Sequence, residues 1–391
     1  MREGWTYKKL GEVCDKSQNI NWNKVSEEKR YTYIDLSSVD RECLSVINPQ
    51  IINKTNAPSR AKQIVETGDV IFATTRPTLR RTCVIGEDNN GQICSTGFCV
   101  LRPQKQVLAK WIFYNLQYDG FYSYIEPLQT GANYPAVADS VVKDYNIPVP
   151  SLSEQQSIVA ELDKINELIN LKKAQLSDLD SLAQSIFYDM FGDPIENEKG
   201  WEVKNIDDIC SSIVRGPFGS ALKKEFFVKP DSTTYKVYEQ KHAIQKDSTI
   251  GSYYVTENKF NELSRFEIKP NDIIMSCSGT IGELYRIPQN AAKGIMNQAL
   301  LKFTLNESIL YQYFMFLMEY VKKNFTIRGT GLQNIGSVKI IKSMSFGLPP
   351  LTLQQDFAKR IEFIEQQKAQ ISSTIKDLET LLASRMQYWF D

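Results

Sequence analysis

The segment "IPVPSLSEQQSIVAEL" (Ile147–Leu162) decides the fold, because it recurs in recognisable form as "LPPLTLQQDFAKRI" (Leu348–Ile361). Each copy has two prolines, then a Gln-Gln pair, and then apolar residues at regular intervals. Proline ends a preceding element but is tolerated at a helix start, where Ser or Thr is a common N-cap. We therefore predict a long helix after each proline pair, with Ser153 and Thr352 as the N-caps.

Apolar residues in both segments follow steps of four and three residues alternately. A sustained period of 3.5 residues is the signature of a coiled coil. One alternative is that each helix packs only on its own globular domain, but the shared register favours pairing of the two helices. Because a large domain separates them in the chain, we predict an antiparallel pair. The predicted interface residues are Leu162, Ile165, Ile169, Leu176, Leu179, Ile361, Ile364, Ile371, Ile375 and Leu378.

The rest of the chain is repeated as well. Trp5 and Trp201 are 196 residues apart, and "TGDVIFATTRPT" (Thr67–Thr78) has the pattern of "PNDIIMSCSGTI" (Pro270–Ile281). In both stretches an apolar run leaves an acidic turn and enters a loop rich in Thr or Ser. The period is far longer than that of solenoid repeats, and 391 residues exceed what one core usually serves. We predict an α+β fold with two tandem mixed α/β domains, separated by the two long helices and related by a pseudo-two-fold axis.

Within these domains, β-branched and aromatic enrichment predicts strands, and helical periodicity predicts helices at matching places. The predicted strands are Asp69–Ala73, Cys94–Arg102, Asp272–Ser276 and Asn297–Phe303, and the predicted helices are Val107–Gln117 and Ser308–Lys323.

The composition indicates a reducing cellular compartment, and the charge distribution only weakly indicates a nucleic-acid partner. The seven cysteines form no C-x-x-C pair, and the N-terminus has no apolar signal region. The most apolar run, Tyr311–Tyr320, is too short to span a bilayer. We therefore expect reduced thiols, a cytoplasmic location and no membrane. The net charge is zero, with a small basic excess in the two domains and an acidic excess in the helical segments.

The sequence has little that could support catalysis. His242 is the only histidine, so catalytic triads and multi-histidine metal sites have no basis. No phosphate-binding G-x-x-x-x-G-K-[ST] loop is present. An E-x-K pattern at Glu239 and Glu257 is compatible with a metal-dependent nuclease, but the same pattern at Glu27 indicates chance. We predict no catalytic residue and no metal site in this chain.

Polar loops at equivalent places in the two domains are candidates for contacts with DNA. "TTRPTLRR" (Thr74–Arg81) combines Arg, which binds phosphate or guanine, with Thr, which contacts base edges. Its counterpart "SCSGTIG" (Ser276–Gly282) has no Arg, so the two domains would read different sequences. Glycines in "RGPFGSALKK" (Arg215–Lys224) let backbone N–H groups approach a phosphate. Amides in "TGANY" (Thr130–Tyr134) and "RGTGLQN" (Arg328–Asn334) suit adenine edges.

Any one of these loops is compatible with a solvated turn, and their recurrence at matching positions favours a common role. The predicted DNA-binding residues are Thr75, Arg76, Thr78, Arg80, Arg81, Asn133, Tyr134, Lys223, Lys224, Ser276, Ser278, Thr280, Arg328, Gln333 and Asn334.

Together these motifs resemble the DNA specificity (S) subunit of type I restriction–modification systems over essentially the whole chain. The resemblance is carried by "GDVIFATTRP", "NDIIMSCSGTIG", "GPFGSALKK", "VYEQKHAI" and the two proline, Gln-Gln and helix segments. It implies target recognition domains at residues 1–150 and 193–350, the second including a short linker at 193–200. It also implies spacer helices at residues 151–192 and 351–391.

The resemblance further implies a non-catalytic subunit that recognises a bipartite site on double-stranded DNA. Its implied partners are two methyltransferase subunits and a restriction/translocase subunit. The chain itself would bind no cofactor, since S-adenosylmethionine, ATP and Mg²⁺ would belong to the partners. Two alternatives stay open at this point: a specificity chain that serves a fused restriction–methylation enzyme, and a coiled-coil scaffold with no role on DNA.

Overall fold

The computed structural model describes residues 4–322, 327–328, 334–335 and 338–391. The chain divides into two compact units. Unit 1 comprises residues 1–174 and 371–391, and unit 2 comprises residues 175–370. Each unit therefore contains a segment from each of the two long helices.

The elements of the first half, in chain order, are β1 (Thr6–Lys9), β2 (Cys14–Asp15), β3 (Gln18–Asn19), β4 (Tyr31–Ile34), β5 (Gln50–Ile52), β6 (Ala61–Val65), β7 (Val70–Ala73), β8 (Thr82–Val84), β9 (Gln92–Ser95), β10 (Phe98–Pro103), α1 (Ala109–Gln117), α2 (Asp119–Ile125), α3 (Asp139–Lys143), β11 (Asn146–Val149) and the long helix α4 (Leu152–Phe191). Those of the second half are β12 (Glu202–Asn205), β13 (Cys210–Arg215), β14 (Tyr235–Tyr238), α5 (Gln240–Ile244), β15 (Tyr254–Val255), α6 (Glu257–Glu262), β16 (Glu267–Ile268), β17 (Ile273–Ser276), β18 (Leu284–Arg286), β19 (Gly294–Met296), β20 (Leu300–Leu305), α7 (Tyr311–Val321), β21 (Ile327–Arg328), β22 (Asn334–Ile335), α8 (Val338–Lys342), β23 (Ser345–Leu348) and the long helix α9 (Leu351–Phe390).

The two units contain corresponding sheets, although the second sheet has five strands in unit 1 and four in unit 2. Unit 1 has a four-stranded sheet in the order β2-β10-β7-β8, and unit 2 has its counterpart in the order β13-β20-β17-β18. A second sheet in each unit contains one parallel pair, β4 with β9 in unit 1 and β14 with β19 in unit 2. A two-stranded sheet, β1-β11 or β12-β23, accompanies them. The predicted α+β fold with two repeated domains and a long helix between them is confirmed.

A buried aspartate precedes the central strand of each four-stranded sheet. Asp69, 1% exposed, binds the guanidinium of Arg102 over 2.9 Å and accepts the N–H of Glu66 over 2.8 Å. Asp272 accepts the hydroxyl of Thr304 over 2.6 Å and likewise receives a backbone N–H three residues before it. Each of these carboxylates closes a turn by accepting a backbone N–H group, which explains why an acidic residue comes directly before both apolar runs.

Several predicted boundaries differ from the structure. The predicted strand over 94–102 is two strands, because a turn at Thr96 and Gly97 separates β9 from β10. The predicted N-cap Ser153 is wrong, because α4 begins at Leu152 and Ser151 is the cap. The Ser151 hydroxyl accepts the N–H of Glu154 over 3.3 Å, and the Glu154 carboxylate accepts the N–H of Ser151 over 3.0 Å. This reciprocal pair is a capping box.

The second predicted N-cap, Thr352, is wrong for a related reason. Helix α9 begins at Leu351, so Thr352 lies inside the first turn. The backbone N–H groups of Leu353 and Gln354 donate to the carbonyl of Pro350 over 3.0 and 3.2 Å. Pro350 is therefore the residue before the helix, where its carbonyl accepts the first helical hydrogen bonds and its missing N–H is not required.

Segments of the two long helices run antiparallel within each unit. In unit 1, Glu161 of α4 pairs with Arg385 of α9, and further along α4 Lys173 Nζ lies 3.3 Å from a carboxylate oxygen of Glu379, which comes earlier in α9. In unit 2, Lys368 Nζ of α9 lies 2.8 Å from a carboxylate oxygen of Asp180 of α4, and the rings of Phe187 and Phe357 are in contact. Among the predicted interface residues, the buried ones are Leu162, Ile165, Ile169, Ile361, Ile364, Ile371 and Ile375, and the half-buried ones are Leu176, Leu179 and Leu378.

The C-terminal end of each long helix is part of a hydrophobic core. Phe390 of α9 packs edge-on against Trp111 of unit 1, with ring centroids 5.1 Å apart. Phe187 of α4, 2% exposed, packs among aromatic rings of unit 2 that include Tyr313 and Phe357. Each unit therefore depends on both long helices for its core. Across the described ranges, no helix is long and apolar enough to cross a membrane.

Glu161 of α4 provides a pH-dependent contact in unit 1. Its carboxylate accepts hydrogen bonds from the guanidinium of Arg385 and from the indole of Trp389, each over 3.1 Å. The hydrogen bond from Arg385 holds the pKa of Glu161 below its usual range. Because the folded-state pKa is depressed, the stabilisation is present above the unfolded-state value, about 4.3, and is lost as the pH falls through the folded-state pKa.

We therefore expect the Glu161→Gln variant to be less stable than the wild type near neutral pH and equally stable once Glu161 is protonated. The difference will be small, because both side chains of the ion pair are about one-third exposed. Urea unfolding of both proteins at neutral pH and in acid measures this difference in unfolding free energy. If the difference between the two proteins stays constant over this pH range, the charge of Glu161 does not stabilise unit 1.

Candidate nucleic-acid interface

The loop that follows β7 in unit 1 is tied to two distant segments by backbone hydrogen bonds. The N–H of Thr74 donates to the carbonyl of Gly97 over 2.9 Å, and the Thr74 hydroxyl donates to the same oxygen over 3.0 Å. The N–H of Arg76 donates to the carbonyl of Pro135 over 2.7 Å. These bonds hold the arginine-containing loop against the segment that carries Pro135, so two loops predicted separately form one surface.

Arg76 and Tyr134 form an exposed pair on this surface. The Arg76 guanidinium carbon lies 4.7 Å from the centroid of the Tyr134 ring, and Tyr134 is 68% exposed. Arg76 has a φ of +50°, a conformation that is uncommon for non-glycine residues and concentrates at functional sites. A cation above a ring face is held by the ring quadrupole. Thr78 and Asn133 are exposed in the same two loops, and Thr75 is half-buried.

The other two arginines of the loop have partners within unit 1. Arg80 forms an ion pair with Asp119 and lies 4.1 Å from the centroid of the Tyr122 ring. Arg81 is half-buried and donates through Nη1 to the carbonyl of Leu36. We assign Arg81 to positioning the loop, whereas Arg80 remains exposed at its edge.

The corresponding loop of unit 2 follows β17. Ser276, predicted as a DNA contact, is fully buried, and its hydroxyl donates to the carbonyl of Thr280 and accepts the N–H of Glu283 over 3.0 Å. This arrangement closes the loop from inside, so Ser276 does not face solvent. Thr280 is exposed and Ser278 is half-buried, which leaves these two hydroxyls as the candidates.

The glycine-rich loop after β13 approaches β20 closely at one point. The N–H of Gly216 donates to the carbonyl of Leu300 over 3.0 Å. A Cβ atom at Gly216 would lie 1.8 Å from the carbonyl oxygen of Asn297, so no other residue fits without moving the backbone. Further along the loop, Lys223 and Lys224 are exposed.

The remaining predicted contacts of unit 2 lie between α7 and α8. Arg328 of β21 pairs with Asn334 of β22 in antiparallel register. Gln333 lies outside the described residues.

The loops after β7 and β17 begin with an equivalent backbone hydrogen bond but differ in side chains. The N–H of Cys277 donates to the carbonyl of Ala299 over 2.8 Å, as that of Thr74 does to Gly97. Two residues beyond these positions, unit 1 has Arg76 and unit 2 has a glycine. Equivalent loops thus present different chemistry.

Comparison with known proteins gives the family. The model of the type I restriction modification DNA specificity domain matches this chain twice, over residues 2–180 and 198–380. The chain belongs to the type I restriction–modification specificity subunits. The MjaIX specificity subunit of a type I restriction enzyme from Methanocaldococcus jannaschii is 22% identical over 371 residues, covering 88% of this chain and 79% of the relative. The putative MjaX specificity subunit of the same organism is 20% identical and covers 97% and 93%.

Solved structures agree with the fold. A chain from a structure of a type I R-M system superimposes with a TM-score of 0.63 at 23% identity, covering 99% of this chain and 97% of that chain. The type I restriction–modification S subunit from M. genitalium gives a TM-score of 0.50 at 15% identity, covering 99% and 96%. At these identities the similarity concerns the fold alone.

In this specificity subunit the single histidine has a structural role. His242 is fully buried, its Nδ1 accepts the N–H of Glu239 over 2.8 Å, and its Nε2 lies 2.8 Å from the carbonyl of Ile250. Burial lowers its pKa, so the ring is neutral, with the proton placed on Nε2 toward the carbonyl. Among the described residues, no group of three or more His, Cys, Asp or Glu side chains is arranged to hold a metal ion.

Two residues of the glycine-rich loop of this specificity subunit, Arg215 and Phe218, are not among the predicted DNA contacts. Arg215 donates from Nε to the carbonyl of Gln298 over 3.0 Å, and its guanidinium carbon lies 5.6 Å from the centroid of the Phe218 ring. Phe218 is 69% exposed. An aromatic residue next to glycines in a basic loop was the available signal.

Proposed function

We propose that this specificity subunit recognises a bipartite, asymmetric site on double-stranded DNA, with one half-site contacted by each unit. One observation carries the proposal: the loops after β7 and β17 begin with an equivalent backbone hydrogen bond but carry different side chains. Arg76 in one loop corresponds in position to Gly279 in the other. Two loops at equivalent places with unequal contact residues suit two unequal half-sites.

In the first unit, the exposed pair supplies the strongest means of discrimination. Arg76 can present two parallel donors to O6 and N7 of guanine, while the Tyr134 ring holds the guanidinium. The amide of Asn133 suits the N6 and N7 edge of adenine. The hydroxyls and methyl groups of Thr75 and Thr78 can contact either base type.

In the second unit, hydroxyls and ammonium groups take these roles. Lys223 and Lys224 would neutralise phosphates, and Ser278 and Thr280 would contact base edges. Ser276 and Arg81 would position their loops. The remaining candidates of this unit rest on the sequence alone: Arg328, Gln333 and Asn334.

The catalytic chemistry would belong to partner subunits in the cytoplasm. Two methyltransferase subunits would methylate adenine at N6 with S-adenosylmethionine, and a restriction/translocase subunit would use ATP and Mg²⁺. The zero net charge supports this division, because a chain that bound DNA alone would need a larger basic surplus for phosphate contacts. In this assignment residues 1–150 and 193–350 are the recognition domains, and residues 151–192 and 351–391 are spacers.

We expect the Arg76→Ala variant to lose methylation at its native sites. A lost bidentate contact costs about 1–3 kcal/mol, or about 5- to 150-fold in affinity. N6-methyladenine is mapped by single-molecule sequencing in cells that express the partner subunits with the wild type, with Arg76→Ala, or with no specificity chain.

Arg41→Ala is the matched control, because Arg41 is an exposed arginine of unit 1 outside the two loops. We expect its methylation map to equal that of the wild type. Deleting the chain should abolish one split motif with a constant internal gap, and an unchanged map would refute the specificity function. An unchanged map for Arg76→Ala alone would remove Arg76 from the contact surface.

A further inference from the structure

Phe218 is the most exposed large apolar side chain among the described residues, at 69%. A single exposed apolar residue is common and means little by itself. Phe218 differs in its surroundings, because it directly follows the buried residues Gly216 and Pro217 and precedes the exposed Lys223 and Lys224. An apolar ring therefore lies within a basic loop.

The backbone before Phe218 is anchored on unit 2. Gly216 donates to the carbonyl of Leu300 and lies too close to the Asn297 carbonyl to accept a side chain. Arg215 binds the carbonyl of Gln298 over 3.0 Å. These two hydrogen bonds, on adjacent residues, hold the backbone just before Phe218 in place, and such pre-organisation lowers the entropic cost of binding.

The residue at the same sequence offset in unit 1 is also aromatic but has a structural role. Counting back 196 residues, the spacing of the Trp5 and Trp201 pair, leads to Trp22. Its indole N–H donates to the carbonyl of Ala61 over 2.8 Å, and its ring lies 5.7 Å from that of Tyr31. Phe218 belongs to none of the apolar clusters that the described residues form. Apart from the contact with Arg215, the packing of unit 2 does not require an aromatic residue there.

The position of Arg215 limits what the Phe218 ring can contact. The guanidinium lies over the ring, 5.6 Å from its centroid, and is held there by the Gln298 carbonyl. A side chain that separates two base pairs must slide between them with both faces free. With one face covered, the ring has its edge and its other face available. The apolar group that base pairs present in the major groove is the 5-methyl of thymine.

We infer that Phe218 contacts the 5-methyl group of one thymine in the half-site read by unit 2, and so selects an A·T pair there. Lys223 and Lys224 would bind phosphates nearby. The inference rests on the proposed function, since it names a base contact within the DNA site of this specificity subunit.

The test uses the full chain assembled with its partner subunits and synthetic duplexes that carry the mapped methylation motif. Each thymine of both half-sites is replaced singly by deoxyuridine, which removes only the methyl group. We expect one deoxyuridine in the half-site of unit 2 to weaken wild-type binding about 4-fold, the value of one buried methyl group. Phe218→Ala should weaken binding to the unmodified duplex about 10-fold or more and be insensitive to that deoxyuridine.

Two variants separate the contact from loss of structure. Phe218→Leu keeps an apolar side chain and should retain most of the affinity and the sensitivity to deoxyuridine. Val203→Ala truncates another exposed apolar residue of unit 2, 63% exposed on β12, and should bind as the wild type does. Deoxyuridine in the half-site of unit 1 should affect the wild type and Phe218→Ala equally.

The outcomes distinguish the inference from the proposed function. If the wild type prefers the motif but no deoxyuridine in the half-site of unit 2 weakens its binding, the methyl contact is refuted and the proposed function stands. Unchanged affinity of Phe218→Ala, or equal sensitivity of Phe218→Ala and wild type to deoxyuridine, also refutes the contact. A wild-type complex with no preference for the motif over a scrambled duplex overturns both.

Discussion

Replacing Gln155 with leucine is expected to lower the free energy of unfolding of unit 1 by about 3 kcal/mol or more. The Gln155 side chain is fully buried. Its Oε1 accepts the N–H of Leu108, the residue before α1, over 3.0 Å. Its Nε2 donates to the carbonyls of Gln106 and Pro150, each over 3.0 Å. Leucine has a similar size but leaves three backbone groups without this partner, the buried carbonyl of Pro150 and two partly buried groups, and a fully buried unpaired group costs about 1–3 kcal/mol.

Gln156→Leu is the control for this prediction, because Gln156 is the adjacent residue of the same motif and is exposed. Urea unfolding followed by tryptophan fluorescence reports mainly on unit 1, which contains Trp5, Trp22, Trp111 and Trp389. Equal unfolding midpoints for the two variants would show that the hydrogen bonds of Gln155 contribute little.

The same experiment can be repeated at the second copy of the motif. Gln354 is fully buried, accepts the N–H of Leu310 over 2.8 Å and donates to the carbonyl of Pro349 over 2.9 Å. Gln355 is exposed. We expect Gln354→Leu to destabilise unit 2 and Gln355→Leu to leave it unchanged, which would establish one structural role for the first glutamine of each pair.

Phe187→Ala is expected to destabilise unit 2 by about 3–5 kcal/mol, the usual cost of truncating a core phenylalanine. The ring is 2% exposed and lies between 5.3 and 5.7 Å, centroid to centroid, from the rings of Phe191, Tyr313, Phe316 and Phe357. Its removal leaves a cavity surrounded by other rings, which cannot collapse without losing their own edge and face contacts.

Hydrogen exchange of the α7 backbone amides measures this loss, because α7 carries Tyr313 and Phe316. We expect the protection of the α7 amides against exchange to fall by more than about 100-fold, which corresponds to about 3 kcal/mol. Leu182→Ala is the control, since Leu182 lies on the same helix and is 48% exposed. If the α7 amides exchange at the same rates in Phe187→Ala and Leu182→Ala, the C-terminal end of α4 is not part of the core of unit 2.

Local sequence patterns predicted the elements well where the pattern spans several turns. The 3.5-residue period placed both long helices, because apolar residues three and four apart lie on one helix face whatever the rest of the chain does. Boundaries were less predictable. Ser153 and Ser151 are both chemically suitable caps, and the choice depends on which serine has the backbone conformation that lets Glu154 close the capping box.

The candidate site was predictable as a set of loops but not as a surface. Composition identified the loop of Arg76 and the loop of Tyr134 separately, and their contact depends on hydrogen bonds between backbone segments far apart in the sequence. Ser276 shows the opposite case, since a serine in a Ser/Thr-rich loop has the chemistry of a base contact but is buried here as a loop closure. Phe218 was overlooked because an aromatic residue in a sequence does not reveal whether it is buried.

The amino-acid sequence by itself determined that the chain is a duplication, that each copy ends in a long helix, and that it resembles type I specificity subunits. These properties depend on repeats and periodicity, which are visible without knowing any long-range contact. Only the tertiary structure decided what Gln155 binds, which loop residues face solvent, and that Arg76 stacks on Tyr134. Those outcomes depend on packing between segments distant in the chain, where burial and the pairing of backbone groups decide the role of each side chain.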